Sequence, residues 1–215
     1  SIFTKPIATK VLNVADEEKE ILVTPNFDLA AVDPENGVLE SAKGEKVEFD
    51  LLVSTMPNLG AQFVDDSGLG DGMGYAMTNH HTLKAEKHDN IYVVGDATNV
   101  PASKAGATAH YESETVVENL VREIEGQEPK STYDGHTTCF ICSGYEKAVL
   151  IDFNYDVEPL PGKFPLPGVG PFSLLQESRM NHWGKMLFRW MYWNILLKGK
   201  ELPITAQLQM AGKWN

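Results

Sequence analysis

The stretch Ile91-Tyr-Val-Val-Gly-Asp96, followed by Pro101, Ser103-Lys-Ala-Gly106 and a long helical pattern, decides the fold. Four consecutive apolar positions fit a strand covered on both faces, and the glycine at its end lets the chain turn sharply. An aspartate just beyond that glycine presents its carboxylate at the carboxyl edge of a sheet, where α/β folds bind cofactors. Val116, Val117, Leu120, Val121 and Ile124 recur at helical spacing on one face, and Gly126 supplies a stop. With Ser103 as N-cap, the helix starts near Lys104 and aims its free N–H groups at the crevice that Asp96 faces. Residues 91–125 thus read as a strand–loop–helix unit. Ala105 and Gly106 keep the helix start open to close approach.

Upstream, Asp50-Leu-Leu-Val-Ser-Thr-Met-Pro57 has the form of a second buried parallel strand that ends at small residues. Residues 21–23 form a short apolar run that predicts a buried strand. Residues 27–32, 38–39 and 47–49 are separated by turns at 33–37 and 43–45, which predicts a small antiparallel meander. Residues 3–16 read as a helix with Pro6 in its first turn. Residues 60–74 hold five glycines and read as loop. Downstream, residues 137–142 and 148–153 bracket Ser143-Gly-Tyr-Glu146 as a hairpin. Residues 159–171, with five prolines and three glycines, predict extended chain. Residues 174–197 predict helix, broken in two near 181–184.

Composition bounds the function. A chain of 215 residues with 42% hydrophobic and 22% charged residues can build a real core. Such a composition excludes a disordered tail, a collagen-like repeat and a disulfide scaffold. A net charge of −12 argues against nucleic-acid binding, which needs clustered Lys and Arg. No run of 18 apolar residues offers a simple bilayer span. Residues 177–201 carry five basic and two acidic side chains, a local +3 that leaves −15 on the rest. The same segment holds three of the four tryptophans, and Met180, Trp183, Leu187, Trp190 and Met191 recur at helical spacing. An apolar, Trp-rich face edged by Arg179, Lys185 and Arg189 suits a helix lying in a lipid headgroup region, or else a packing helix.

Cys139 and Cys142 are too few for a disulfide framework and point to a cytoplasmic-type redox setting. Their spacing could be half a zinc site, but no second Cys/His pair of suitable spacing follows. As a dithiol it is awkward, because an odd spacing on a strand points the two side chains to opposite faces. Cys142 reads as a small apolar residue. His80, His81 and His110 read as surface residues or proton relays, and His182 fits a headgroup region.

The Gly95-Asp96 turn with the helix start at Lys104, Ala105 and Gly106 resembles the second flavin-binding motif of flavoproteins with two dinucleotide-binding domains. That resemblance implies FAD, with Asp96 on the ribityl chain and the helix end at the pyrimidine edge of the ring. Lys104 is then placed to steady negative charge. Thr137-Thr-Cys-Phe140, Lys147-Ala-Val-Leu-Ile-Asp-Phe-Asn-Tyr155, Glu158-Pro-Leu-Pro-Gly-Lys-Phe164, Asn181-His-Trp-Gly-Lys185 and Phe3-Thr-Lys-Pro-Ile7 narrow the resemblance to the sulfide:quinone oxidoreductases over nearly the whole chain.

This resemblance implies an α/β fold, the C-terminal portion of a tandem Rossmann-like FAD/NAD(P)-binding flavoprotein with antiparallel hairpins and C-terminal amphipathic helices. Residues 1–75 would be the remainder of the second dinucleotide-binding-like domain, and 76–130 the C-terminal part of the FAD-binding domain. Residues 131–215 would carry the redox-cysteine hairpin and the quinone and membrane region. Cys139 would carry sulfur, Phe140 and Phe172 would contact quinone, and residues 172–198 would dock peripherally on a membrane. The abrupt start and the absence of an N-terminal Gly-x-Gly-x-x-Gly imply a missing N-terminal half that holds a partner cysteine. A type II NADH:quinone dehydrogenase and a non-catalytic membrane-binding module are the alternatives, and a homo-oligomer stays open.

Overall fold

The computed structural model describes residues 20–55, 58–200 and 204–214. The helix expected over residues 3–16 lies outside them. The chain divides into two compact units, residues 13–58 and residues 1–12 with 59–215.

The smaller unit is the expected meander. Strands β1 (Leu29–Asp33), β2 (Val38–Ser41) and β3 (Lys46–Glu48) pair antiparallel in the order β1-β2-β3. Asp33 shapes the first turn by accepting the backbone N–H groups of Glu35 and Asn36, each at 3.1 Å. Two expectations fail here. Residues 21–23 form no strand, and Leu22 is 96% exposed. Residues 50–55 likewise form no strand, with Leu51 and Val53 82% and 86% exposed. A consecutive apolar run becomes a two-face-buried strand only when neighbouring strands pair with it. Among the described residues, none pairs with either run.

In the larger unit a short helix α1 (Gln62–Asp66) precedes the Gly95–Ala97 3-10 turn and helix α2 (Gly106–Ile124). Residues 91–94 are extended but form no parallel strand. Val93 N–H donates to the Leu83 carbonyl and Ala85 N–H to the Ile91 carbonyl, an antiparallel pairing with residues 83–85 instead. The helix starts two residues later than expected. Ala105, not Ser103, takes the N-cap position, and no side chain caps it.

The packing face of α2 also differs from the reading. Thr108, Tyr111, Glu112, Thr115 and Asn119 face inward, whereas Val117, Leu120, Val121 and Ile124 are exposed. Polar groups form this inner face because each finds a partner. The Asn119 side-chain carbonyl, for example, accepts from Lys130 and Ser131 N–H at 3.0 and 2.9 Å, while its amide donates to the Ser131 carbonyl.

The second sheet is built from β4 (Thr137–Gly144), β5 (Lys147–Phe153), β6 (Gly162–Leu166) and β7 (Gly170–Leu174), in the order β4-β5-β7-β6. The β4–β5 hairpin forms as expected. Its two-residue turn puts Tyr145 and Glu146 at positive φ, 51° and 57°, which matches the twist of the strands. The proline-rich stretch is more than extended chain, because its two arms pair as the antiparallel hairpin β6–β7. Helix α3 (Arg179–Asn194) runs unbroken through Gly184, where two helices were expected. Ser178 caps it by accepting Asn181 N–H at 3.1 Å. Its mid-helix glycine is retained for a packing reason given below.

Candidate functional site

One cavity gathers part of the sequence motifs, although Gly95, Asp96 and Lys104 do not line it. It measures about 380 Å³, within the range of small-molecule sites, and its wall is mostly apolar. Ala105 and Gly106 at the start of α2, Cys139 and Phe140 on β4, and Phe172 on β7 all line it. Helix α3 closes one side with Lys185, Leu187, Phe188 and Arg189. Residues more than sixty apart in sequence therefore meet here.

The glycine in α3 makes that meeting close. A Cβ at Gly184 would lie 2.5 Å from Phe172 Cε1 and 2.9 Å from Phe140 Cζ. Those two rings meet edge to face, with centroids 5.5 Å apart. Gly184→Val therefore pushes α3 off both rings, with an expected loss of about 1–3 kcal/mol of stability. Chemical denaturation checks this.

Cys139 sits on the edge strand of its sheet. It packs with Ile141 against Val149, Ile151, Phe153 and Leu175, whereas Phe140 packs against Leu150, Phe164 and Leu174. The thiol and the Phe140 ring thus take alternate faces of β4. Burial pushes the Cys139 thiol above its ordinary pKa, and the nearby Lys185 ammonium pulls it partly back. Lys185 is itself fixed by donating to the Phe140 carbonyl at 2.8 Å. Replacing Lys185 with Met should raise the thiol pKa further. The measurement is the pH dependence of iodoacetamide alkylation, whose midpoint should move to higher pH. Cys142 is exposed and, like Cys139, a free thiol.

At the other motif, Gly95 adopts φ 69° and is followed by an exposed Asp96. A Cβ at Gly95 would stand 3.3 Å from the Ala109 methyl, so the turn is pressed closely onto α2. The turn is held from inside by Glu112, whose carboxylate accepts Gly95 N–H. Glu112 is almost wholly buried, and that burial raises its pKa. Sequence reading missed this residue. Its one signal was an acidic side chain a turn and a half into the helix, on the face that carries Tyr111 and Thr115. Lys104 is turned back onto the loop: its ammonium donates to the Thr98 carbonyl at 2.6 Å and lies 4.8 Å from the Tyr75 ring centroid.

These residues fit a flavin. The first turn of α2 has no side-chain cap and no acidic residue, and a Cβ at Gly106 would meet nothing within 4 Å. Its N–H groups are free to face the electron-rich edge of a ring. Among the described residues, no group of three His, Cys, Asp or Glu side chains could hold a metal ion.

His80 and His81 are exposed and line a second, more polar cavity with Tyr155 and Asp156, beside the Pro101–Ser103 turn. His110 lines the first cavity, with Nε2 3.0 Å from the Glu114 carboxylate.

Behind the cavity wall lies a polar cluster to which the sequence reading gave no role. Asp152, opposite Thr138 in the β4–β5 ladder, accepts Lys213 Nζ on Oδ2 at 2.7 Å. Its Oδ1 lies 2.7 Å from His136 Nε2 and 2.6 Å from the donating Thr138 hydroxyl.

No family model matches the chain. Among solved structures, it superposes on the sulfide:quinone oxidoreductase of Aquifex aeolicus with a TM-score of 0.65 at 17% identity, over 89% of this chain and 45% of that one. It also superposes on a chain of the Tetrahymena thermophila mitochondrial ATP synthase, with a TM-score of 0.58 at 26% identity, covering 85% of this chain and 42% of that one. The fold shared with the Aquifex structure is a mixed α/β architecture with antiparallel and mixed sheets.

Among curated proteins, the mitochondrial sulfide:quinone oxidoreductase of Dictyostelium discoideum is 30% identical over 171 residues, 78% of this chain and 36% of the relative. The Mus musculus protein of the same name is 27% identical over 154 residues, 71% of this chain and 33% of the relative. Its Schizosaccharomyces pombe counterpart is 28% identical over 155 residues, covering 70% and 32%. In sequence, then, the chain is sulfide:quinone oxidoreductase-like. It spans about a third of the length of these relatives.

Proposed function

We propose that this chain forms the quinone-side part of a flavoenzyme that oxidises sulfide to sulfur or polysulfide and reduces a membrane quinone. The convergence of Gly106, Cys139, Phe140, Phe172 and α3 on one apolar cavity supports this reading above all else. FAD, when bound, would accept two electrons from sulfur chemistry and hand them to the quinone. Asp96 would hold its ribityl hydroxyls, and the N–H groups of Ala105 and Gly106 would face its pyrimidine edge. Cys139 would carry the sulfur, because persulfide and disulfide exchange run through a thiolate. Phe140 and Phe172 would pack against a flat quinone ring and exclude water.

The acceptor is dissolved in lipid, and α3 offers a way to reach it. Met180, Trp183, Met186, Leu187, Trp190 and Trp193 are all more than half exposed along this helix. Arg179, Lys185 and Arg189 are interspersed, and Lys198 and Lys200 follow. A Trp-rich apolar face edged with cations lies in the headgroup plane and attracts anionic lipid. Among the described residues, no helix is long and apolar enough to cross a membrane. Peripheral attachment through this face also brings the cavity, which α3 helps to line, up to the lipid. The double variant Trp183→Ala/Trp190→Ala should weaken binding to anionic vesicles about tenfold or more, read by vesicle co-sedimentation. Raising the salt should weaken the wild type as well.

The flavin reading is tested by flavin content. Asp96→Ala should purify with most of its FAD lost, and sulfide added without oxygen should bleach the flavin of the wild type. A second reading has its own support, the 26% identity to a chain of an ATP synthase assembly. Under it the same fold serves as a structural subunit of a membrane complex. A protein that purifies without flavin and stays unchanged by sulfide would favour that role.

A further inference from the structure

The cluster behind the cavity wall is unusual in its burial. The side chains of Asp152 and Lys213 are 1% and 2% exposed, and His136 is 2% exposed. Charges sealed off to this degree are costly even when paired, and an apolar trio would anchor the C-terminal segment at less cost. The cluster is also connected. The Tyr111 ring stacks on His136, with centroids 4.4 Å apart and planes 6° from parallel. The Tyr111 hydroxyl donates to Thr138 Oγ1 at 3.3 Å, and Thr138 Oγ1 lies 3.2 Å from His136 Nε2. Tyr111 and Thr138 both line the cavity, where most other wall groups are apolar. A short path of hydroxyls thus leads from cavity to imidazole.

His136 has one ring nitrogen engaged and the other not. Its Nδ1 is buried and has no hydrogen-bond partner, while Nε2 engages Asp152 and Thr138. The groups around the ring are Asp152 and Thr138 from the sheet, Tyr111 from α2 and Lys213 beyond the carboxylate. Asp134 accepts the His136 backbone N–H at 3.0 Å, and the Tyr133 hydroxyl donates to the His136 carbonyl. With His136 charged, the Lys213–Asp152–His136 trio carries +1. When it is neutral the trio carries none, so the cluster can hold one proton and release it.

We propose that His136, through Thr138 and Tyr111, delivers a proton to the electron acceptor in the cavity. This rests on the quinone reading above. As a quinone oxygen gains negative charge, Tyr111 gives that oxygen its hydroxyl proton, Thr138 gives its own to Tyr111, and His136 Nε2 gives its own to Thr138. Two O–H bonds and one N–H bond break while three O–H bonds form, and the imidazolium becomes neutral imidazole. The electrons come from the proposed sulfide reaction and none from the relay. His136 regains its proton from solvent through the same two hydroxyls once the product has left the cavity. Hydroxyl hydrogens turn about their C–O bonds, so no heavy atom has to move between the resting direction of the chain and the delivering one. Burial holds the Tyr111 hydroxyl well above its ordinary pKa, so at rest it keeps the proton it passes on.

Two measurements on the whole polypeptide test this. The first needs no cofactor: ¹⁵N-histidine NMR, with the His136 signal assigned by its loss in His136→Gln. Its Nε2 resonance should move in Tyr111→Phe, which removes the hydroxyl joined to it through Thr138. The second compares turnover with a short-chain quinone and with ferricyanide, an acceptor that takes up no proton. In Tyr111→Phe, a variant with little cause to misfold, the ratio of quinone to ferricyanide turnover should fall about tenfold or more, in kcat rather than KM. An Nε2 resonance that stays put, or a ratio left unchanged by Tyr111→Phe, overturns the relay. If sulfide drives neither acceptor, the quinone reading fails instead, and the same ratio is taken after reducing the protein with dithionite.

Discussion

Cys139→Ser should reduce sulfide-driven quinone turnover by about 10³-fold or more, on the scale of losing a covalent nucleophile. A serine hydroxyl keeps the size and the place on β4 but forms no persulfide. The thiol lies half-buried beside the Val149 and Ile151 cluster, which a hydroxyl disturbs little, so the melting curve should change by less than the activity does. The pH profile of the wild type should follow the raised thiol. Activity that needs the thiolate climbs with pH into the range above an ordinary cysteine, and at higher pH still once Lys185 is replaced. Stopped-flow mixing with sulfide across that range checks both. An unchanged rate in Cys139→Ser would make the residue a packing side chain.

Asp152→Asn should cost about 3–5 kcal/mol of stability, because it leaves the Lys213 ammonium and the His136 ring buried without their counter-charge. Asp152→Leu combined with Lys213→Met removes both charges and should recover most of that loss. Urea unfolding of the three proteins decides between a charge pair and simple packing at this position. The pH dependence has a definite sign. Burial pushes the Asp152 carboxyl up most strongly, but His136 and then Lys213 together outweigh it and hold the group below its ordinary pKa. Its stabilisation is therefore complete above the ordinary carboxylate pKa, about 4, and fades as the pH falls through the lower folded value. Asp152→Asn should flatten that acid limb of the stability curve.

The sequence was most legible where local chemistry decides structure. The β1–β3 meander and the β4–β5 hairpin follow from turn residues and alternation, and both form. Residues 50–55 and 91–94 misled because a consecutive apolar run states only that two faces want cover. Whether strands flank it is decided by distant chain, and residues 91–94 instead found residues 83–85. Helix α2 misled differently. Its apolar residues mark an exposed face, and its inner face is made of polar side chains whose partners lie up to thirty residues away, such as Thr108 against Thr137. Gly184 looked like a helix break. It proved to be the point where α3 rests on the Phe140 and Phe172 rings.

The site was legible in part for the same reason. Ala105, Gly106, Cys139, Phe140 and Phe172 carry recognisable motifs, and the fold brings all five to one cavity. Glu112, His136 and Lys213 carry none, and Thr138 and Asp152 lie inside motifs that gave them no role of their own. A buried carboxylate is seen only when the backbone amide or the ammonium that satisfies it is placed beside it. Lys213 is sixty residues from Asp152, beyond the reach of any local pattern.

The central claim is that electrons pass from sulfide to a membrane quinone. The most direct test measures quinone reduction by the membrane-bound, FAD-loaded polypeptide with sulfide and with NADH as separate donors. The account predicts turnover with sulfide, its collapse in Cys139→Ser, and little or none with NADH. Turnover driven by NADH and indifferent to Cys139→Ser would contradict it and make the protein a dehydrogenase of the same fold.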